Sequence, residues 1–508
     1  MNSDEELPKL KFGVATSDHQ SEAFDAGRMD IRDKWEKSQD QTRRGAASDF
    51  WNRYPEDVKH AAELGCGLFR FSISWSRVEP EPGRFDPAAL EHYREIVAAI
   101  RKAGMQPVIT LHHFTWPIHV EERGGMIAPD FPQWFAAYAE EVASATGAGV
   151  SYWITFNEPN LLVYGYIKPW WSSSYTMPPG CPPGARISEQ LDKSIQLMRN
   201  LFLAHSLARD GIQKIDPAAK VGTNPFVFGL PGWLINFQDW MASSTRSRKR
   251  FRDQQEGMMR PAGICLALSK LRKGTHPLSK YALIRKLSPV FGFFDDLLNS
   301  FAVLAAVTNC DWWMLGMRGK LSLLFCPPSC HGKLDFVGFD YYWGASHLEP
   351  HRVTQLLDAS MSKFANAPVD PPGLLRWLRR YHRLFPGKEI LVVENGCIES
   401  ADGFDRAGYI EAHVEKVRAA RREGIPVSAY ICWSITSNRE WGLPFSQDSD
   451  FGLYHIDLDT DPSLARRRTK SAEAYASMIG EDAIGRQPAN ENGSATESRP
   501  GTAVGEVL

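Results

Sequence analysis

Eight short apolar runs recur along the chain, most of them separated by stretches of helical periodicity. The runs are LKFGVAT (10–16), LFRFSISW (68–75), QPVITLHH (106–113), YWITFNEP (152–159), AKVGTNPF (219–226), LDFVGFDYY (334–342), EILVVENG (389–396) and VSAYICWSI (427–435). A run such as LVV is apolar and rich in β-branched valine, as suits a strand buried in a parallel sheet. Between the runs, PAALEHYREIVAAIRKAG (87–104) and RAGYIEAHVEKVRAARREG (406–424) place apolar residues three and four apart and close on a glycine. Strand then helix, eight times over, predicts an α/β protein with a (β/α)8 TIM barrel. A doubly wound open sheet is the competing arrangement, but no Gly-x-Gly-x-x-Gly follows an early strand.

The chain is long enough for that plan: 508 residues, 43% of them hydrophobic, bury a large core, and a net charge of −2 argues against a nucleic-acid partner. We expect one catalytic barrel over 8–480, with a divergent insertion at 230–330 between the fifth and sixth strands, and a tail of disordered composition at 481–508. The start, MNSDEELPKLKF, is polar and acidic where a secretory signal needs a basic start and an apolar core, so a cytoplasmic location is expected. Eight cysteines are too sparse for a disulfide scaffold and read as buried free thiols; CPPSC (326–330) lacks the second ligand pair of a metal site.

Chemistry in a barrel sits where the strands end. The fourth run ends in Asn157, Glu158 and Pro159, and the seventh in Glu394 before Asn395-Gly396. Either glutamate alone reads as a solvated residue closing a strand, with Asn-Gly as a turn dipeptide. Two strands delivering glutamates to one mouth read differently. Paired carboxylates across a pocket suit glycoside hydrolysis, in which one protonates the leaving oxygen and the other attacks the anomeric carbon or activates water. Neither a metal nor a cofactor is needed.

At these residues the chain resembles glycoside hydrolase family 1, the retaining β-glycosidases. TFNEP (155–159) matches that family's acid/base motif, and VENG (393–396) is similar to its nucleophile motif, with Val393 where Thr is usual. The resemblance implies Glu158 as acid/base and Glu394 as nucleophile. It implies further that Arg70, in FRFSISWSRVEP, lies beside the nucleophile, that Asn157 contacts the hydroxyl next to the reacting carbon, and that Tyr342, in DFVGFDYYWG, hydrogen-bonds Glu394. Gln20, His113, Trp433, Glu440 and Trp441 are the implied sugar-binding residues, with Glu22 structural and His113 preferred over His112. Glu440 as a carboxylate would repel a phosphate, so a neutral glycone is expected. Asp340 stands where the family commonly has Asn, and Ser437, Arg439 and Asp450 also depart from its pattern.

The expected activity is hydrolysis of neutral β-glycosides, β-glucosides first, through a covalent glycosyl-enzyme. Transfer of the sugar to a lipid or sugar acceptor from the same site is one alternative, and a carbohydrate-binding protein with a weak site is another. Within the insertion, Asp253 and Glu256 are the only acids between Thr245 and Phe294, among many Lys, Arg and apolar residues. Such a segment can touch an anionic membrane surface peripherally. The expectation taken here is a long loop at 241–294 that walls the aglycone site.

Overall fold

The computed structural model describes residues 9–168, 180–227, 270–294, 326–344 and 350–484, with positions 7, 177, 178, 267, 268, 296, 297 and 300. All eight expected strands are present: β1 (Lys11–Ala15), β2 (Leu68–Ser72), β3 (Gln106–Thr110), β4 (Tyr152–Asn157), β5 (Lys220–Asn224), β6 (Val337–Asp340), β7 (Ile390–Asn395) and β8 (Val427–Trp433). They pair in parallel in the order β5-β4-β3-β2-β1-β8-β7-β6. Every strand is buried almost throughout, which is why their sequences are continuously apolar rather than alternating.

The two ends of that order, β5 and β6, meet through a few backbone bonds instead of a full ladder. Asp335 donates to Val221 (3.0 Å), Asp340 to Pro225 (3.1 Å), and Val227 to Asp340 (2.9 Å). These bonds close the (β/α)8 barrel, and the expected insertion falls at this seam.

The helices follow their sequence signals. Helix Pro87–Lys102 opens on a proline, whose missing N–H costs nothing there, and Asp86 accepts from the N–H groups of Ala88 and Ala89. It buries Tyr93, Ile96, Val97 and Ile100; each such burial contributes about 1.5–3 kcal/mol. Helix Arg406–Arg422 is capped by Asp405, which accepts from Gly408 at 2.7 Å.

The final helix, Lys470–Ile484, runs four residues into the segment read as tail, and 485–508 lie outside the described residues. So do 228–266 and 301–325, which hold much of the expected insertion, including the basic cluster near 248–252. Among the described residues no helix is long and apolar enough to cross a membrane. The six described cysteines are buried free thiols.

Candidate active site

Because the strands are parallel, their C-terminal ends share one rim, and Glu158 and Glu394 stand on it. Glu158 begins the short helix Pro159–Leu162 from left-handed backbone, with φ 41°. A non-glycine residue there is strained by about 1 kcal/mol or more, and a following proline favours extended geometry instead. Two bonds hold the conformation: Glu158 N–H donates to the Asn224 carbonyl (3.0 Å), and its carbonyl accepts from Leu161 (2.8 Å).

Glu394 is bound on both oxygens. Arg70 Nη1 donates to Oε1, and the Tyr342 hydroxyl donates to Oε2 at 2.7 Å. The buried Arg70 also donates through Nε to Thr110 Oγ1 (3.0 Å) and through Nη2 to Asn157 Oδ1 (2.6 Å). Asn224, at the end of β5, donates to the same Asn157 oxygen (2.7 Å) and to Asp340 Oδ2. Glu158, Asp340 and Glu394 each bring a carboxyl oxygen into a cluster within 4.8 Å. Burial first, then the neighbouring Glu394 and Glu440, push the Glu158 carboxyl well above its usual range, with Arg70 opposing. A retaining pair stands about 5–5.5 Å apart, whereas an inverting pair needs about 6.5–9.5 Å to admit water between. Here the approaching oxygens of Glu158 and Glu394 lie within 4.8 Å of each other.

The sugar-binding residues expected from the sequence come to the same mouth. Gln20 Nε2 donates to Glu440 Oε1 at 3.1 Å. The His113 ring lies nearly parallel to Trp433 and Trp441, at 5.6 and 5.9 Å between centroids. Burial, and then the Arg70 cation, hold His113 well below its usual range, so it stays neutral and can both donate and accept. His112 packs on Trp116 and Phe156 in the core. Glu440 differs from the expected carboxylate. Burial pushes it up to about 8 against the indole N–H of Trp433, with Glu394 adding to the rise, which favours the acid form at neutral pH.

Glu22 accepts from Arg77 Nε (2.6 Å) and the Tyr93 hydroxyl (2.9 Å). The departures in the eighth-strand segment pair among themselves or with neighbours: Ser437 donates to Asp450 (2.8 Å), Asp450 contacts His455 (2.7 Å), and Arg439 donates to the Leu458 carbonyl (3.1 Å).

Two features escaped the sequence reading. Asn224 precedes a proline at a strand end, as Glu158 does, and that position was the signal. His19 and Arg32 flank Trp441 at 5.9 and 5.2 Å. Burial disfavours the His19 cation, yet Asp30, helped by Glu36, holds its pKa up to about 9. No local motif announces that ion cluster, because Asp30 and Glu36 come from the following helix.

The residues at 6–229 and 330–483 match the family model described as glycosyl hydrolase family 1. Among curated relatives, a 1,4-beta-D-glucan glucohydrolase of Thermotoga neapolitana is 25% identical, over 90% of this chain and 94% of its own length. A cyanidin 3-O-glucoside 7-O-glucosyltransferase (acyl-glucose) of Delphinium grandiflorum is 26% identical, over 85% and 80%. Among solved structures, the beta-glucosidase of Thermotoga maritima in complex with deoxynojirimycin superposes with a TM-score of 0.63 at 21% identity, covering 93% of this chain and 98% of that one. With the family model matching both sides of the insertion and every motif that carries the two glutamates, the chain belongs to glycosyl hydrolase family 1.

Proposed function

We propose that this glycoside hydrolase is a retaining β-glycosidase of neutral glycosides, with β-glucosides as first substrates, in which Glu394 is the nucleophile and Glu158 the acid/base. The observation that carries the reading is the short separation of the two carboxyls, with Arg70 and Tyr342 both bound to Glu394. A carboxylate held by a cation and a hydroxyl is fixed in position and aimed. Glu394 attacks the anomeric carbon while the C–O bond to the aglycone breaks, and the Glu158 proton passes to the leaving oxygen. Water then gives its proton to Glu158 and its oxygen to the anomeric carbon, and Glu394 leaves. An alcohol in place of water gives transfer by the same steps; the relative named as a glucosyltransferase supports that alternative.

The insertion is proposed as a wall of the aglycone site, because the connection leaves β5 at the rim where the carboxyls stand. Peripheral contact with an anionic membrane is the second reading. It is favoured by Tyr281, Leu283 and Phe293, each more than half exposed in the basic segment.

The carboxyl assignment is tested with two variants. Glu394→Ala should abolish turnover of every aryl β-glycoside. Glu158→Ala should lose roughly 10²- to 10⁴-fold on poor leaving groups and far less on good ones, which need no proton. Azide should rescue the Glu158 variant as a β-glycosyl azide. An α-azide, or equal losses on good and poor leaving groups, would reverse the roles.

A further inference from the structure

Asp340 ends β6 opposite Glu394 in the β6–β7 register and is fully buried. Its side chain is the third member of the carboxyl cluster, with an oxygen within 4.8 Å of an oxygen of Glu158 and of Glu394. Asn224 donates to Oδ2, whereas Oδ1 is buried with no hydrogen-bond partner among the described residues. An anion so placed is poorly compensated, while a neutral acid is less demanding. The titratable and charged groups facing it are Glu394 on β7, Glu158 after β4, Arg70 on β2 and Tyr342 just past β6. Arg70 is the one cation among them, and it is already bonded to Glu394 and Asn157. Arg70 and Tyr342 both bond Glu394, which leaves Asp340 with the Asn224 amide. Burial, and then Glu394 and Glu158, push the Asp340 carboxyl well above its usual range.

We propose that Asp340 is a positioning residue of the reaction centre: it shares the carboxyl cluster with Glu158 as a second buried acid, and once it ionises its charge keeps the Glu158 proton in place to higher pH. The inference rests on Glu158 acting as the acid. Two carboxyls this close titrate as a pair, because the first to ionise raises the proton affinity of the other. The proton released by Asp340 goes to solvent and is not consumed in turnover. At working pH the neutral Asp340 also spares the cluster a second anion once Glu158 has given its proton to the leaving oxygen.

Asp340→Asn preserves the shape and the neutral form but cannot ionise. On an aryl β-glucoside with a poor leaving group, its plateau kcat/KM should stay within about tenfold of the wild type. Its alkaline limb should move to lower pH by about one unit or more, because Glu158 then titrates beside a neutral neighbour. A residue that only fills space would lower the profile without moving it, so limbs that superimpose after scaling would overturn the proposal.

A second measurement needs no variant. In wild-type protein carrying 13C-labelled aspartate, trapping Glu394 with a 2-deoxy-2-fluoro-β-glucoside removes its charge, and one protonated-aspartate infrared band should then titrate at lower pH. No responding aspartate band would equally overturn the proposal. Wild-type protein inert toward every aryl β-glycoside would instead remove the acid/base reading and this inference with it, an outcome distinct from turnover with an unmoved limb.

Discussion

Glu440 is subject to opposite demands, since burial favours its acid form and a sugar with two hydroxyls to donate favours its anion. An unfolded chain releases the Glu440 proton near 4.5, whereas the folded site keeps it to about 8. Between these values unfolding releases a proton, so this group lowers stability as pH rises through the window. Glu440→Gln cannot ionise and should escape that loss. Denaturant unfolding should show the variant close to wild type at pH 4.5 and more stable at pH 8, by a few kcal/mol at most. A gap that narrows toward pH 8 would refute the sign. The same variant should lose about 10- to 100-fold in kcat/KM, the cost of replacing a charged acceptor. The identity of Glu440 was legible in its motif; its protonation was not, because that depends on how deeply Trp433 and the loop bury it.

The eight strands were legible as elements because burial on both faces leaves each an unbroken apolar run. Their ends were less so. Asn395-Gly396 reads as a turn dipeptide, yet Gly396 is absent from the positive-φ positions, and its role is close approach. A Cβ there would lie 2.0 Å from the Trp433 carbonyl oxygen, so β7 and β8 converge only over a glycine. Asn395 is likewise no turn residue: it donates to Tyr409 OH (3.0 Å) and accepts from Tyr430 OH (2.6 Å) beneath the site. Gly396→Ala should therefore push the two strand ends apart, costing about 1–3 kcal/mol of stability. It should also lower kcat by at least about tenfold, since a shift near 1 Å misplaces Glu394 against Trp433. Thermal unfolding and kinetics on one preparation check this; a variant with wild-type kcat would mean that the convergence is dispensable.

At the scale of the whole molecule, the sequence marks an expected insertion between the fifth and sixth strands without saying what it faces, since periodicity reports an apolar side and not its partner. The two readings part on salt and lipid. As an aglycone wall, the protein should leave anionic vesicles unbound in a sedimentation assay. Replacing Arg248, Lys249, Arg250 and Arg252 with Gln should then change discrimination among aglycones and nothing else. Salt-sensitive pelleting with anionic vesicles, lost in the quadruple variant, would favour the membrane, because each basic residue contributes only about 1 kcal/mol and is screened within a Debye length.

The seam between β5 and β6 has a bearing on every assay named above. Backbone pairing is sparse there, and side chains supply one of the fastenings, where Asn224 on one edge holds Asp340 on the other. Glu158 belongs to the β5 side of that joint and Glu394 to the β6 side. One fastening of the ring therefore lies among the carboxyls, so a change at Asn224 or Asp340 reaches the joint and the chemistry together.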